Sequence, residues 1–332
     1  MISADNTYKL IEQSILERYD LNWDKTLKDV YELHSGFLQI EPVVKFSFEH
    51  RESILEVLNQ SETFNSILNL FVTKTLEFTY NSNQFINMGD EGKKELTRIY
   101  TLHLLNIKSV LEKELTYKEL EHQINFLMAE HFQRLRDNII RYFDNEVTSD
   151  VYENVILKNA VCEEYSPVFQ IKILGIDLNN IENPILDIGC GKSGGLVKYL
   201  IDHGYEAVGI DRIVDKEKFL VEADWLTFNY DCRKWGTIIS QMSFTNHFIF
   251  NHLYKKGVPE NYAQTYRKII DSLSVNGSFY YTPALPFIEK YLQSEKFFIS
   301  YNRFEQTIKP VHKSGVIIED DGHYSVKVTK IS

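Results

Sequence analysis

A chain of 332 residues that is 43% hydrophobic, 13% aromatic and 25% charged has enough apolar material for one or two packed cores, which excludes a generally disordered protein. Acidic residues outnumber basic ones 47 to 36, and the resulting charge of -11 argues against a broad phosphate-tracking surface, hence against nucleic acid as a partner. Cys162, Cys190 and Cys232 form no metal-type pair, no apolar run reaches the ~20 residues of a membrane span, and the start lacks a basic segment followed by an apolar one; a cytoplasmic chain with no metal and no membrane partner is expected.

Glycine and proline divide the chain. Only Gly36, Gly89, Gly92 and Pro42 precede residue 160, out of 15 glycines and seven prolines, so the first half is expected to be helical. It also holds most of the acidity, with 17 basic and 26 acidic residues over 1–160 against 19 and 21 over 161–332. Helical spacing begins in Ile54, Leu55 and Leu58 and continues in Phe64, Ile67, Leu68 and Phe71. Residues 88–92 break it. Leu96, Ile99, Tyr100, Leu104, Ile107 and Leu111 mark the next helix, and Tyr117 to Phe143 forms a long amphipathic one. The reading is an all-helical domain over 1–150 of five or six helices, and a second domain over 151–332.

From Ile173 the pattern changes to short β-rich runs alternating with helical segments, the mark of a parallel sheet with crossover helices. Strands are expected at Ile185–Ile188, Ala207–Ile210, Phe219–Val221, Thr237–Gln241 and Ser278–Thr282, with helices over Glu163–Leu174 and after Gly194, Asp215, Asn261 and Pro286. Phe297–Phe304 and Tyr324–Ile331 are strand-like with no helix between them, and Asp321-Gly322 is a turn signal after Val316–Glu319. An antiparallel pair is expected to close the sheet. The fold class is α/β, Rossmann-like, behind a helical N-terminal domain.

The most informative stretch is PILDIGCGKSGGLV, residues 184–197, in which Gly189, Gly191 and Gly194 fit GxGxxG between an apolar strand and a helical run. Glycine lets the backbone turn sharply and a ligand approach without a Cβ in the way. Asp211, 22 residues after Gly189, ends the next strand, where a carboxylate can accept from two ribose hydroxyls. Asp187 separates two possible ligands. A dinucleotide sets pyrophosphate at the helix N-terminus, where a further negative charge repels it. S-adenosylmethionine instead carries an amino cation and a sulfonium, which an acidic residue at the loop entrance favours.

LDIGCGKSGG resembles the first motif, LDIGCGxG, of the class I S-adenosylmethionine-dependent methyltransferases, over about residues 160–332. The resemblance implies a seven-stranded sheet with an antiparallel last hairpin, S-adenosylmethionine as cofactor and S-adenosylhomocysteine as product. It implies that Asp187, Gly189, Cys190 and Gly191 surround the methionine end and Asp211 the ribose. Ala223-Asp224-Trp225 is similar to the third motif, whose acid accepts from the adenine amino group and whose next residue covers the ring. Residues 238–247 resemble the fourth motif, with Ser240 and Gln241 lining the channel between cofactor sulfur and acceptor. Tyr165 is similar to tyrosines that reach the methionine carboxylate.

Methyl transfer from a sulfonium is an in-line displacement, so alignment and exclusion of water are the protein's main tasks. The fourth motif lacks the (D/N/S)PP(Y/F) tetrad of nucleic-acid amino methyltransferases and the Pro-Cys pair of cytosine-C5 enzymes. His247 is the candidate base for an acceptor that must lose a proton, with Ser243 and Asn246 as polar neighbours. A carboxylate acceptor needs no base, only cationic or hydrogen-bonding groups to hold it. Arg134, Arg136 and Arg141 form a local basic cluster for that purpose, with Arg134 and Arg141 on one helix face. The domain order looks like tailoring methyltransferases that esterify the C-terminal carboxylate of ribosomally made peptides such as lanthipeptides. A peptide acceptor in natural-product biosynthesis and a small-molecule O- or N-methyl acceptor are both open at this point. So is a non-catalytic binding subunit of the same fold; Asp187 and the antiparallel ending weigh against a nicotinamide-dependent oxidoreductase.

Overall fold

The computed structural model describes residues 3–22, 27, 30, 40–86, 88–143, 165–254, 259–303 and 324–332, which fall into two compact units, one up to residue 143 and one from residue 165. In the first unit the described helices are α1 (Ala4–Asp20), α2 (Ile40–Glu49), α3 (Arg51–Asn59), α4 (Ser61–Ser82), α5 (Gly89–Leu111) and α6 (Tyr117–Phe143). The Ser3 hydroxyl caps α1, accepting from the Asn6 N–H. The expected break at 88–92 falls slightly earlier: α5 begins at Gly89, and Gly92 is a buried residue within it. Asp90 and Glu91 in that first turn favour a helix start through the macrodipole, which outweighs the low propensity of the two glycines. Leu96, Ile99 and Leu104 of α5 are buried, as are Ile124, Leu135 and Ile139 of α6, at the spacing that identified both helices.

The second unit is a seven-stranded sheet in the order β3-β2-β1-β4-β5-β7-β6. Its strands are β1 (Ile185–Ile188), β2 (Ala207–Asp211), β3 (Leu220–Glu222), β4 (Trp235–Gln241), β5 (Leu273–Thr282), β6 (Phe297–Arg303) and β7 (Tyr324–Lys330). The first five run parallel, whereas β7 is antiparallel to both β5 and β6. This is the seven-stranded sheet with an antiparallel last hairpin that the methyltransferase resemblance implies. Every residue of β1 and β4 is buried, because helices cover both faces of the parallel part. Alternation along the strands divides the core: Ile185 and Ile239 pack with Leu196 and Leu200 of α8 (Gly195–Asp202), while Leu186 and Ile238 pack with Phe244 of α9 (Phe244–Tyr254) and Tyr266 of α10 (Pro259–Ser272).

Several boundaries differ from expectation. No helix follows Asp215: the link from β2 to β3 is too short for a crossover helix and runs in bends, held by the Asp215 N–H on the Lys192 carbonyl at 2.9 Å. Helix α7 (Pro167–Leu174) starts later than Glu163, since the Ser166 hydroxyl accepts from the Phe169 N–H and Pro167 takes the first helical turn. After β4 the chain enters α9 at once, a helix that the sequence pattern did not announce. The helix after Pro286 is a single turn, Pro286–Glu289. Residues 163–164, Val316–Glu319 and Asp321-Gly322 lie outside the described residues. Among the described residues, no helix is long and apolar enough to cross a membrane.

Candidate active site

The chain leaves β1 toward β2 on one side and returns to β4 on the other, so β1 and β4 flank the point where strand order reverses. In open α/β sheets, ligands bind beyond the carboxyl ends of the strands at such a point. Gly189 and Gly191 follow β1 with φ of 76° and 75°, and Gly194 enters α8 with φ of 59°, all in the left-handed region. The space is as restrictive as the dihedral angles. A Cβ on Gly189 would stand 2.3 Å from the Ser243 Cβ, and one on Gly194 would stand 2.4 Å from Leu220 Cδ2. The glycines of the fingerprint are therefore fixed by backbone conformation and by contact with β4's exit and with β3.

Polar contacts tie the loop to the ends of its neighbouring strands. The Ser243 hydroxyl donates to the Ile188 carbonyl at 2.6 Å and lies 2.8 Å from the Ser240 hydroxyl, so the exit of β4 holds the exit of β1. Asp211, at the end of β2, accepts from the Gly191 N–H at 3.0 Å through Oδ2 and from the Arg212 N–H at 2.6 Å through Oδ1. The same carboxylate thus anchors the glycine loop while standing at the carboxyl end of β2. Half-buried Cys190 sits inside the turn, its Sγ 3.4 Å from the Gly191 carbonyl.

Asp187 is 4% exposed. Burial, reinforced by the nearby charge of Asp211, pushes its carboxyl up to about 7. Burial also raises Asp211, although the Arg212 guanidinium and the backbone N–H groups of Gly191, Arg212 and Ile213 pull the other way. Two acids held against the cost of desolvation beside the glycine loop form a local environment suited to a cation. At the matching end of β4, Gln241 is 9% exposed and its Nε2 has no hydrogen-bond partner among the described residues. Met242 follows with a φ of 52°, a left-handed conformation at a non-glycine residue that sequence reading does not detect. Strained backbone of this kind is common where chemistry is done.

The other expected site residues are more scattered. The Asp224 Oδ1 accepts from the Leu226 N–H at 2.9 Å, shaping the turn after β3. Trp225 is 2% exposed and packs in the core beneath the loop, its Cζ3 3.3 Å from where a Gly189 Cβ would be, so it covers no open surface for a ring. The Arg212 guanidinium lies 5.6 Å above the Trp225 ring, a neighbour that the sequence motif did not flag. His247 lies in the first turns of α9, 1% exposed, with its ring 4.8 Å from Trp225 in edge-to-face contact. Asn246 donates to the Met242 carbonyl at 2.9 Å and so supports the turn. Half-buried Tyr165 stands just before α7, its carbonyl accepting from Gln170 Nε2 and its ring 5.2 Å from Phe169. Arg134 and Arg136 belong to α6 in the other unit; the side chain of Arg141 lies outside the described residues. Among the described residues no group of His, Cys, Asp and Glu is arranged to hold a metal ion.

No family model and no curated protein matches this sequence. Solved structures do match over about half of this chain. An rRNA methylase from Streptococcus thermophilus is 12% identical with a TM-score of 0.32, covering 52% of this chain and 100% of its own. The N-methyltransferase NodS from Bradyrhizobium japonicum is 11% identical over 50% of this chain and 96% of its own, TM-score 0.32. The plantazolicin methyltransferase in complex with a triazolic desmethylPZN analogue and SAH is 14% identical over 50% and 83%, TM-score 0.33.

Two glycine substitutions separate steric from conformational cost. Gly204→Ala, where φ is 87° and nothing lies within 4 Å, is expected to lose about 1 kcal/mol. Gly189→Ala adds the Ser243 clash and is expected to lose upwards of about 2 kcal/mol in urea denaturation. Equal losses would show that the contact between the loop and β4 relaxes freely.

Proposed function

We propose that this chain is an S-adenosylmethionine-dependent methyltransferase acting on an acceptor oxygen, with a peptide C-terminal carboxylate as the acceptor. The observation that carries the cofactor assignment is Asp187, a buried carboxyl beside the glycine loop with the charge of Asp211 nearby and, among the described residues, no backbone N–H to neutralise it. The glycines present backbone rather than side chain along the loop, and Gln241 offers a donor with no hydrogen-bond partner among the described residues. These residues fit the group. When bound, S-adenosylmethionine supplies an electrophilic methyl carbon on a sulfonium. Asp187 would hold the amino cation, Asp211 the ribose hydroxyls while fixing Gly191, and the Ser240–Gln241–Met242–Ser243 exit the acceptor side. Tyr165 would reach the methionine carboxylate and Asp224 the adenine amino group.

The burial of His247 against Trp225 favours an acceptor that is already an anion over one that must lose a proton. A carboxylate meets that condition, and Arg134, Arg136 and Arg141 on the helical unit would supply charge for an anionic acceptor. Ser243 and Asn246 then act as turn supports next to the acceptor. A helical unit in addition to the catalytic fold suits a substrate larger than a metabolite.

Calorimetry tests the cofactor reading: S-adenosylhomocysteine is expected to bind, NADH is not, and Asp211→Ala is expected to weaken S-adenosylhomocysteine at least tenfold. Binding of NADH alone would overturn it. Unchanged affinity in Asp211→Ala would remove Asp211 from the ribose. For the acceptor, His247→Ala is expected to cost turnover less than about tenfold, since a carboxylate needs no base; a loss of ~10²–10⁴-fold would assign His247 as general base and the acceptor as a hydroxyl or amine.

A further inference from the structure

The helical unit carries a cleft of its own, about 170 Å³ in volume, between α5 and α6. Glu95, Arg98 and Ile99 line one wall from a single stripe of α5. Arg134, Asp137 and Asn138 line the other from α6 with the same spacing. Asn138 is 2% exposed, yet neither its Oδ1 nor its Nδ2 has a hydrogen-bond partner among the described residues. A buried amide with both acceptor and donors open is a standing cost that leucine, of nearly the same shape, would not carry. The charged groups around it are weakly engaged. Arg98 lies 3.1 Å from Glu95 and Arg134 lies 3.5 Å from Glu130, with the two arginine side chains 81% and 39% exposed. Ion pairs of this kind contribute little and exchange readily for the charges of a ligand.

We propose that this cleft binds a segment of peptide, with the Asn138 amide exchanging a donor–acceptor pair with a backbone peptide group. Arg98 and Arg134 take an acidic side chain of the segment, and Glu95 and Asp137 a basic one. A peptide unit presents an N–H and a C=O, which match the open acceptor and donors of Asn138, and the mixed charges of the walls suit a polar sequence better than a purely anionic ligand. The proposal rests on the peptide-acceptor reading above and specifies where the helical unit would hold a part of the acceptor that does not react. Binding at such a part raises affinity without entering the chemistry.

The test uses the full chain and a blocked tetrapeptide, N-acetyl-Glu-Ala-Ala-Lys-amide, followed by calorimetry. The wild type is expected to bind it, Asn138→Leu to bind it at least tenfold more weakly, and the double variant Arg98→Gln/Arg134→Gln at least threefold more weakly, with S-adenosylhomocysteine affinity unchanged in both. Asn138→Leu is expected to melt no lower than wild type, because it removes unsatisfied polar atoms. Should that variant fail to fold, the double variant, altered only at partly exposed side chains, decides the matter. No binding to wild type at about 5 mM peptide, or equal binding by wild type and variants, would overturn the proposal. Free glutamine bound with the same dependence on Asn138 would also overturn it, in favour of a small zwitterion. Loss of S-adenosylhomocysteine binding by the wild type would instead contradict the methyltransferase reading, which the peptide titration does not measure.

Discussion

Burying a carboxylate beside a second one is unfavourable, and the sheet does this at the carboxyl ends of β1 and β2. With its carboxyl raised from 3.8 to about 7, Asp187 disfavours its own charge by something on the order of 4 kcal/mol. Because the folded value exceeds the unfolded one, the stabilising preference for the neutral form is complete below about pH 3.8 and is lost as the pH rises through 7. At higher pH the folded chain holds an ionised carboxylate with the like charge of Asp211 nearby. A cation placed there recovers much of what folding gave up.

The neighbouring features serve the same loop. Asp211 holds the Gly191 N–H and contributes the charge that raises Asp187. Ser243 bridges the exit of β4 to the Ile188 carbonyl, immediately after the Asp187 side chain, and its bulk leaves no room for a Cβ on Gly189. The left-handed Met242 lets the chain turn from β4 into α9 next to that contact. The strand exits, the loop and the first turn of α9 thus form one polar-bonded assembly around the buried acid.

Most of this was legible in residues 184–211, where the apolar residues of β1, Gly189, Gly191 and Gly194, and the acids Asp187 and Asp211 stand at fixed spacing. Short β-rich runs also located the strands of the second unit, and helical spacing the helices of the first unit from Ile54 onward, since burial writes itself into apolar residues. Less visible were features set by neighbours distant in sequence. Residues 244–251 of α9 are almost wholly buried and so carry no amphipathic stripe, although His252 and Leu253 at its end are exposed. The polar run after Asp215 reads as helical, but the link from Asp211 to Leu220 has too few residues to form a crossover helix. His247 and Trp225 look like ligand-facing groups in a motif, yet they meet edge to face in the interior. Asn138 is part of an ordinary amphipathic helix by sequence, and only packing reveals that its amide is buried without a partner among the described residues.

The most direct measurement is proton release on S-adenosylhomocysteine binding, obtained by calorimetry in pairs of buffers with different ionisation enthalpies. A cation bound against Asp187 requires the ionised carboxylate, so about one proton should leave per ligand at pH 6, with affinity falling about tenfold per pH unit below 7 and release fading by pH 8. Asp187→Asn should abolish the release. Binding that releases no proton at pH 6, or a release that survives in Asp187→Asn, would contradict the assignment of the buried acid as the cation site.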